Sequence, residues 1–294
     1  MTKRLCSLST FSIVAYDPEA QEWGVAVQSK FLAAGAVVPW AQAGVGAVAT
    51  QAYANTSFGP DGLSLMAEGI SAQETLDRLI AADDGRARRQ VGLVDDRGRP
   101  ASFTGDECPP WAGGITGAHF AAQGNILVGE ATVEAMARGF EAAAGELADR
   151  LVVALAAGQE AGGDRRGQQS ASVLVVRDKG GYGGYTDRYL DLRVDDDPRP
   201  IERLQALVDL HHLFFRPPAP GEMVPIEGAI TRDLQQILRW AGYYDGAITG
   251  DYDGPTQAAL RALIGNENFE ERFDEEQQMI SRQVVDILRK KFER

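Results

Sequence analysis

Residues 9–16 read STFSIVAY and residues 23–29 read WGVAVQS, and these two stretches decide the fold. The Asp-Pro-Glu sequence at 17–19 favours a turn between them, because proline fixes φ and aspartate favours turn entry. The pattern therefore predicts a β-hairpin. Apolar or small side chains occupy both alternating sets of positions, so neither strand has a polar face. A hairpin that is apolar on both sides needs cover on both sides, which predicts a sheet buried between two layers, with Thr10 at the entrance of its first strand.

The composition of the 294-residue chain is that of an ordinary globular protein, with 44% hydrophobic and 24% charged residues. Its formal net charge of −13 would repel a nucleic-acid duplex or an anionic bilayer, so neither is an expected partner. Two cysteines, Cys6 and Cys108, and three histidines form no metal-binding spacing, so no metal and no cofactor are expected. No apolar stretch is long enough for a signal peptide or for a membrane span of about 20 residues, which predicts a cytoplasmic protein.

Beyond the hairpin, strands and helices come in groups. Two helices follow a strand, and the second of them begins with the capping box SAQE at 71–74. A long helical stretch at 132–156, broken at Gly145, precedes a final helix that starts after Pro200. The further strands are predicted at 45–51, 90–94, 101–104, 120–128, 171–176 and 189–194. This order differs from the regular alternation of a βαβ fold and predicts a layered α+β sandwich.

The sequence RPPAPG at 216–221 has the proline density of a stiff, extended spacer. We therefore expect a first domain at residues 1–215, a linker at 216–225 and a second domain at 226–294. Apolar residues recur at helical spacing three times in the second domain, around 230–241, 255–263 and 280–288. The second domain is predicted to be a small all-α module of three helices.

Six blocks of the first domain resemble, in order, the bacterial family called domain of unknown function 1028. They lie at residues 10–18, 23–29, 35–41, 44–51, 123–125 and 162–170. The resemblance implies an Ntn-hydrolase-like fold, which is a four-layer αββα sandwich, and it brings no settled substrate. Residues 226–288 resemble a peptidoglycan-binding-like domain family, in part through the sequence GYYDG at 242–246.

An Ntn hydrolase uses a Thr, Ser or Cys that is the first residue of the mature chain, because its own α-amine takes the proton of the hydroxyl or thiol. That amine has a pKa of about 7.7–8.0, so part of it is neutral near neutral pH. Thr10 is the best-placed nucleophile, although nine residues precede it. Either the Ser9–Thr10 bond is cut, or Thr10 has no free amine and is only a β-favouring residue at a strand start. Cys6, Ser9 and Ser12 are further candidate nucleophiles.

Three more polar residues are candidates for catalysis, and each of them could instead have a structural role. Asp164 could orient the nucleophile or hold a substrate amine, or it could tie down its loop through an Asp–Arg pair. Asn125 could donate its amide to an oxyanion, or it could complete the hydrogen bonds at a strand end. Lys30 could lower the pKa of a nearby amine or hydroxyl, or it could be a solvated lysine. The candidate substrate-binding residues are Gln51, Gln168 and Ser170, the last two as oxyanion donors.

Together, the residues and the resemblance predict a hydrolase of a small amide or a related C–N bond, with a small amide-like molecule as its substrate. The alternative is a non-catalytic protein that binds a metabolite or serves as a scaffold on the same sandwich. In that case the second domain would make partner, dimer or glycan contacts. Peptidoglycan itself is not an expected ligand without an export signal. A homo-oligomer is a further expected assembly, because a layered sandwich is compatible with self-association.

Overall fold

The computed structural model describes residues 10–293, which divide into two compact units, one ending at Val208 and the other starting at Asp209. The strands of the first unit are β1 (Thr10–Asp17), β2 (Glu22–Ser29), β3 (Pro39–Gln42), β4 (Gly46–Ala52), β5 (Arg89–Asp95), β6 (Pro100–Thr104), β7 (Gly113–Gly117), β8 (Phe120–Asn125), β9 (Ser170–Val176) and β10 (Arg188–Val194). Its helices are α1 (Phe58–Ala67), α2 (Ala72–Ala81), α3 (Ala131–Ala142) and α4 (Leu147–Glu160), and α5 (Pro200–Phe215) begins in this unit.

These strands form two antiparallel sheets. The larger sheet has six strands in the order β10-β9-β2-β1-β8-β7, and the smaller has four in the order β3-β4-β5-β6. The hairpin of β1 and β2 lies at the centre of the larger sheet, with β8 on one side and β9 on the other. The N-terminal hairpin is therefore the element around which the larger sheet is built.

Apolar side chains cover both faces of this central hairpin. Phe11 and Ile13 of β1 point into a core that also contains side chains of α3, α4 and α5. Val14 and Tyr16 point the other way, into a core shared with the four-stranded sheet. A third core packs α1 and α2 against the other face of the four-stranded sheet. Because burying each large apolar side chain contributes about 1.5–3 kcal/mol, this two-sided cover explains why neither strand of the hairpin has a polar face.

Two element boundaries follow from left-handed backbone conformations. The helical stretch predicted at 132–156 is two helices, and Gly145 between them has a φ of 105°, which costs glycine nothing because it has no Cβ. The strand predicted at 120–128 ends three residues early, because Ile126 has a φ of 53° and Leu127 then bridges to Asp164. Asn125 is therefore the last residue of β8.

The second unit contains three helices and a small sheet. The helices are α6 (Gly228–Trp240), α7 (Gly254–Glu267) and α8 (Arg282–Phe292), and the strands are β11 (Met223–Pro225), β12 (Phe273–Asp274) and β13 (Met279–Ser281), paired in the order β11-β13-β12. The prediction of an all-α domain is therefore wrong, and Ile280, predicted to lie in the third helix, lies in β13. Strands of two or three residues are too short to show an alternating pattern in the sequence.

The proline-rich segment that the sequence marks as a linker lies within the second unit. Arg272 is 1% exposed and donates to the carbonyl oxygens of Leu213 and His212, at 2.7 and 2.6 Å, near the end of α5. Arg272 also pairs with Glu222 at 3.0 Å, and Glu222 accepts the backbone N–H of Ala219 at 2.8 Å. The division between the units thus falls inside α5, because a distant arginine binds the end of this helix.

Candidate functional site

A row of polar side chains crosses four neighbouring strands where β1 begins. Thr10 lies opposite Ser29 of β2 and Asn125 of β8, and Ser29 lies opposite Ser170 of β9. Residues directly opposite one another share a face of the sheet, here the face that Val14 presents to the four-stranded sheet. All four polar side chains are completely buried. The fold therefore brings together Thr10, Asn125 and Ser170, and it adds Ser29, which the sequence analysis did not single out.

Thr10 is hydrogen-bonded through both its side chain and its carbonyl. Its Oγ1 donates to Ser29 Oγ at 3.1 Å, and its carbonyl accepts Nε2 of Gln51, from the facing sheet, at 3.3 Å. Ser12, a further candidate nucleophile, donates its hydroxyl to Gln51 Oε1 at 2.6 Å. Cys6 and Ser9, which the sequence also offers as nucleophiles, lie outside the described residues. Thr10 is thus the nucleophile candidate at the start of β1, and Gln51 reaches it across the space between the sheets.

Two further glutamines extend this cluster, and the sequence analysis did not find them as site residues. Gln90 of β5 accepts hydrogen bonds on Oε1 from Gln51 Nε2 at 2.8 Å and from Asn125 Nδ2 at 3.0 Å. Gln123 of β8 donates from Nε2 to Ser12 Oγ at 2.7 Å. Both glutamines are completely buried. The signal that could have found them is a long polar residue near the end of an apolar strand, since burial there requires polar partners.

We call this set the inter-sheet polar cluster; its members are Thr10, Ser12, Ser29, Gln51, Gln90, Gln123, Asn125 and Ser170. Each member is neutral, and each one is completely buried. Hydrogen bonds between buried neutral groups are stronger than the same bonds in water, so such a network holds one arrangement. The cluster can therefore present fixed amide and hydroxyl groups to a neutral molecule, without any charged side chain of its own.

Gly92 of β5 makes room for one member of the cluster. A Cβ at this position would lie 2.1 Å from Gln123 Oε1, far inside contact distance. Gly92→Ala is therefore expected to displace the Gln123 carboxamide and to lower the free energy of unfolding by about 1–3 kcal/mol. Urea unfolding of the whole chain measures this change. Gly129→Ala is the matched control, because a Cβ there meets no atom within 4 Å. Equal stabilities for the two variants would contradict the packing of Gln123 on Gly92.

Asp164 holds a loop at the same end of the sheet. One carboxylate oxygen accepts the backbone N–H of Lys30 at 3.0 Å, and the other accepts the backbone N–H of Arg166 at 2.9 Å. The Arg166 guanidinium also pairs with Asp164 at 3.1 Å. The residue is 2% exposed, and these bonds match the structural role predicted for it, in which an Asp–Arg pair ties down the loop.

Lys30, Gln168 and Ser170 are joined to the same loop region by their hydrogen bonds. The exposed Lys30 donates from Nζ to the carbonyl oxygen of Gln168 at 3.1 Å. Ser170 donates to the carbonyl of Phe31 at 2.6 Å and accepts the N–H of Ala34 at 3.1 Å, which secures the chain after β2. Ser170 thus lies in the polar row, whereas Lys30 and Gln168 lie beside it, at the end of β2 and before β9.

Other reactive groups lie elsewhere. Cys108 donates from Sγ to the carbonyl of Arg89 at 3.3 Å, and burial raises the pKa of its thiol, which disfavours the nucleophilic thiolate. Within residues 10–293, no three His, Cys, Asp or Glu side chains are arranged to hold a metal ion. Over the same residues, no helix has both the length and the apolar character to cross a bilayer.

Two family models match the chain. The model described as a family of unknown function, DUF1028, matches residues 10–204, and the model described as "Putative peptidoglycan binding domain" matches residues 213–288. The first match spans more than half of the chain, so the chain belongs to the DUF1028 family. The two resemblances identified from the sequence are therefore confirmed.

A solved structure agrees with this membership. The crystal structure of protein SPO2555 from Silicibacter pomeroyi, which carries the same family model, is similar with a TM-score of 0.64 and 32% sequence identity. The similarity covers 70% of this chain and 90% of that chain. No curated protein was found to match.

Proposed function

We propose that the first unit is a hydrolase of the N-terminal-nucleophile type, with a four-layer αββα sandwich, that cleaves a small amide or a related C–N bond. The observation that carries the proposal is the position of Thr10. It is the first residue of the central strand β1, its side chain belongs to the inter-sheet polar cluster, and its hydroxyl is bonded to Ser29. Two facing sheets, each with helices packed on its outer face, support the assignment of the sandwich.

In this proposal, hydrolysis of the Ser9–Thr10 peptide bond leaves Thr10 with a free α-amine. The neutral amine takes the proton of Oγ1 while this oxygen attacks the substrate carbonyl, forming a C–O bond and a tetrahedral oxyanion. The C–N bond then breaks, and the leaving nitrogen takes the proton from the Thr10 ammonium. Water attacks the resulting ester, which releases the acid and restores the hydroxyl.

The other candidate residues have roles that fit their places. Fixed amide donors stabilise a developing oxyanion, and this is the role we assign to Asn125. The positive charge of Lys30 lowers the pKa of a nearby amine, and Asp164 holds the backbone of Lys30 in place. Substrate binding falls to Gln51, Gln168 and Ser170.

The test is whether Thr10 is the first residue of the purified protein. Mass spectrometry of the native protein is expected to show a chain that begins at Thr10. Periodate cleaves the C–C bond of an amino alcohol only when the amine is free, so the denatured protein is expected to become reactive towards an aminooxy reagent after periodate treatment. An intact mass that includes the residues before Thr10 would by itself exclude the mechanism, even with a periodate reaction, because loss of Met1 alone would expose Thr2, which also reacts with periodate.

A second function is favoured by the complete burial of Thr10, Ser29 and Asn125. A sealed cluster of this kind suits a non-catalytic protein that binds a metabolite or acts as a scaffold, with the second unit making partner, dimer or glycan contacts. In this function Thr10 needs no free amine, so the chain is expected to be uncut. Native mass spectrometry distinguishes the two functions, because the binding protein would keep residues before Thr10 and would carry a small molecule through purification.

A further inference from the structure

Gln90 makes hydrogen bonds that leave its carboxamide only one orientation. Its Nε2 shares two hydrogens among three acceptors: the main-chain carbonyls of Gly113 and Gly124, at 3.2 and 2.8 Å, and Thr104 Oγ1 at 2.9 Å. Main-chain carbonyls accept hydrogen bonds and never donate them, so the nitrogen of the amide must face them. A flipped amide would place its oxygen against two carbonyl oxygens and lose both bonds. The oxygen of Gln90 therefore points away from Gly113 and Gly124.

That oxygen is the point where two candidate site residues meet. Gln51 Nε2 and Asn125 Nδ2 both donate to Gln90 Oε1, at 2.8 and 3.0 Å. The same Nε2 of Gln51 reaches the carbonyl of Thr10 at 3.3 Å. Gln90 Oε1 thus requires the nitrogen, and not the oxygen, of both amides to face it, and for Gln51 the carbonyls of Thr10 and Gln123 require the same.

The orientation passes on to the next residues of the cluster. Because Nε2 of Gln51 faces carbonyl oxygens, its Oε1 faces Ser12, which must donate its hydroxyl to that oxygen. Ser12 then accepts from Nε2 of Gln123 at 2.7 Å. The nitrogens of Gln51 and Gln123 also face main-chain carbonyls: that of Gln51 lies 3.3 Å from the oxygen of Thr10 and 3.4 Å from that of Gln123, and that of Gln123 lies 3.4 Å from the oxygen of Ser12. The main chain around these two glutamines therefore favours the same orientation that Gln90 requires.

We propose that Gln90 is the positioning residue of the Thr10 site: its oxygen holds the amide groups of Asn125 and Gln51 in the orientation that the site requires. The proposal rests on the proposed function, in which Thr10 is the nucleophile of a catalytic site. Gln90 itself touches no reacting atom, since its direct partners are Gln51, Asn125, Thr104 and main-chain carbonyls. Its effect on chemistry passes through its neighbours.

The first readout is the side-chain amide of Asn125, which is one of only four asparagines in the sequence. In protein labelled with ¹⁵N-asparagine, an Asn125→Asp variant assigns its NH2 signal, and Asn55 serves as the internal reference. Gln90→Met keeps the length of the side chain without the acceptor, and it is expected to speed hydrogen exchange at Asn125 about 5–10-fold without changing Asn55. Gln90→Glu keeps an acceptor for Asn125 but places an oxygen against the carbonyls of Gly113 and Gly124, so it is also expected to speed the exchange. Thr104→Val, which removes only one acceptor of Gln90, is expected to match the wild type.

The second readout is acylation of Thr10 by a β-lactone, a reagent that esterifies activated hydroxyl groups. Gln90→Met is expected to lower the maximal acylation rate about tenfold with an unchanged half-saturating concentration, because positioning is lost and binding is not. Wild-type exchange at Asn125 in Gln90→Met, or equal acceleration at Asn125 and Asn55, would overturn the role of Gln90. An unacylated Thr10 in the wild type would instead reject the proposed function, and the exchange at Asn125 would still decide the role of Gln90.

Discussion

Thr10→Val is expected to lower the rate of amide hydrolysis about 10³-fold or more while the protein remains folded. Valine has the shape of threonine and suits a strand equally well, but it lacks the Oγ1 that the proposed mechanism uses. The side-chain hydrogen bond that it removes is the one to Ser29, which is worth about 1 kcal/mol of stability. The loss of activity would therefore not come from unfolding. The measurements are turnover of a panel of small amides, β-lactone labelling mapped by mass spectrometry, and urea unfolding.

Thr10→Ser is the matched control for this variant. Serine retains a hydroxyl on the same carbon and the same α-amine after cleavage, so activity and β-lactone labelling are expected to persist. If Thr10→Val turned over a responsive amide at the wild-type rate, the nucleophile would not be Thr10. If the valine variant and the wild type also carried the same small molecule through purification, the binding function would be favoured.

Arg272→Met is expected to lower the free energy of unfolding of the second unit by about 3 kcal/mol. The guanidinium is 1% exposed, and three of its donors serve the carbonyls of His212 and Leu213 and the carboxylate of Glu222. Methionine fills a similar length but donates no hydrogen bond, so the end of α5 loses its buried charged donors. The expected readout is faster backbone hydrogen exchange over residues 209–293 of the whole chain, with α3 and α4 as the internal reference.

Arg216→Met is the control for the Arg272 variant, because Arg216 pairs with the same Glu222 at 3.4 Å but has a side chain that is 40% exposed. An exposed ion pair contributes only about 0–1 kcal/mol, so this variant is expected to exchange almost as slowly as the wild type. Similar exchange in both variants would show that the end of α5 does not depend on the buried arginine.

The sequence analysis placed the elements whose signal lies in consecutive residues. The two-sided apolar pattern predicted the hairpin, and the helical stretch at 132–156 is divided where Gly145 predicts. It did not find β11, β12 and β13, since two or three residues carry no measurable period. It also extended β8 past Asn125, because the φ of Ile126 is set by the turn towards Asp164 and not by the identity of the residue.

The candidate site residues also fall into two groups: those that the sequence indicated and those that only the structure identified. Thr10 and Ser170 were visible in the sequence because each is a polar residue at or just before the start of an apolar strand, and Asn125 was visible as a polar amide within one. Asp164 was visible too, but the atoms that it binds, on Lys30 and Arg166, were not. Gln90 and Ser29 were missed although each is a polar residue near the end of an apolar strand, because the sequence does not show which partners they meet on other strands.

The sequence by itself determined the central hairpin, the family and the residue at the start of β1, because strand periodicity and turn chemistry act between neighbours in the chain. Only the tertiary structure decided that eight neutral polar side chains meet between the sheets, and that Gln90 accepts hydrogen bonds from two amides among them. The physical reason is that a hydrogen bond between buried side chains depends on the register and facing of separate strands. These are fixed only when both sheets have packed.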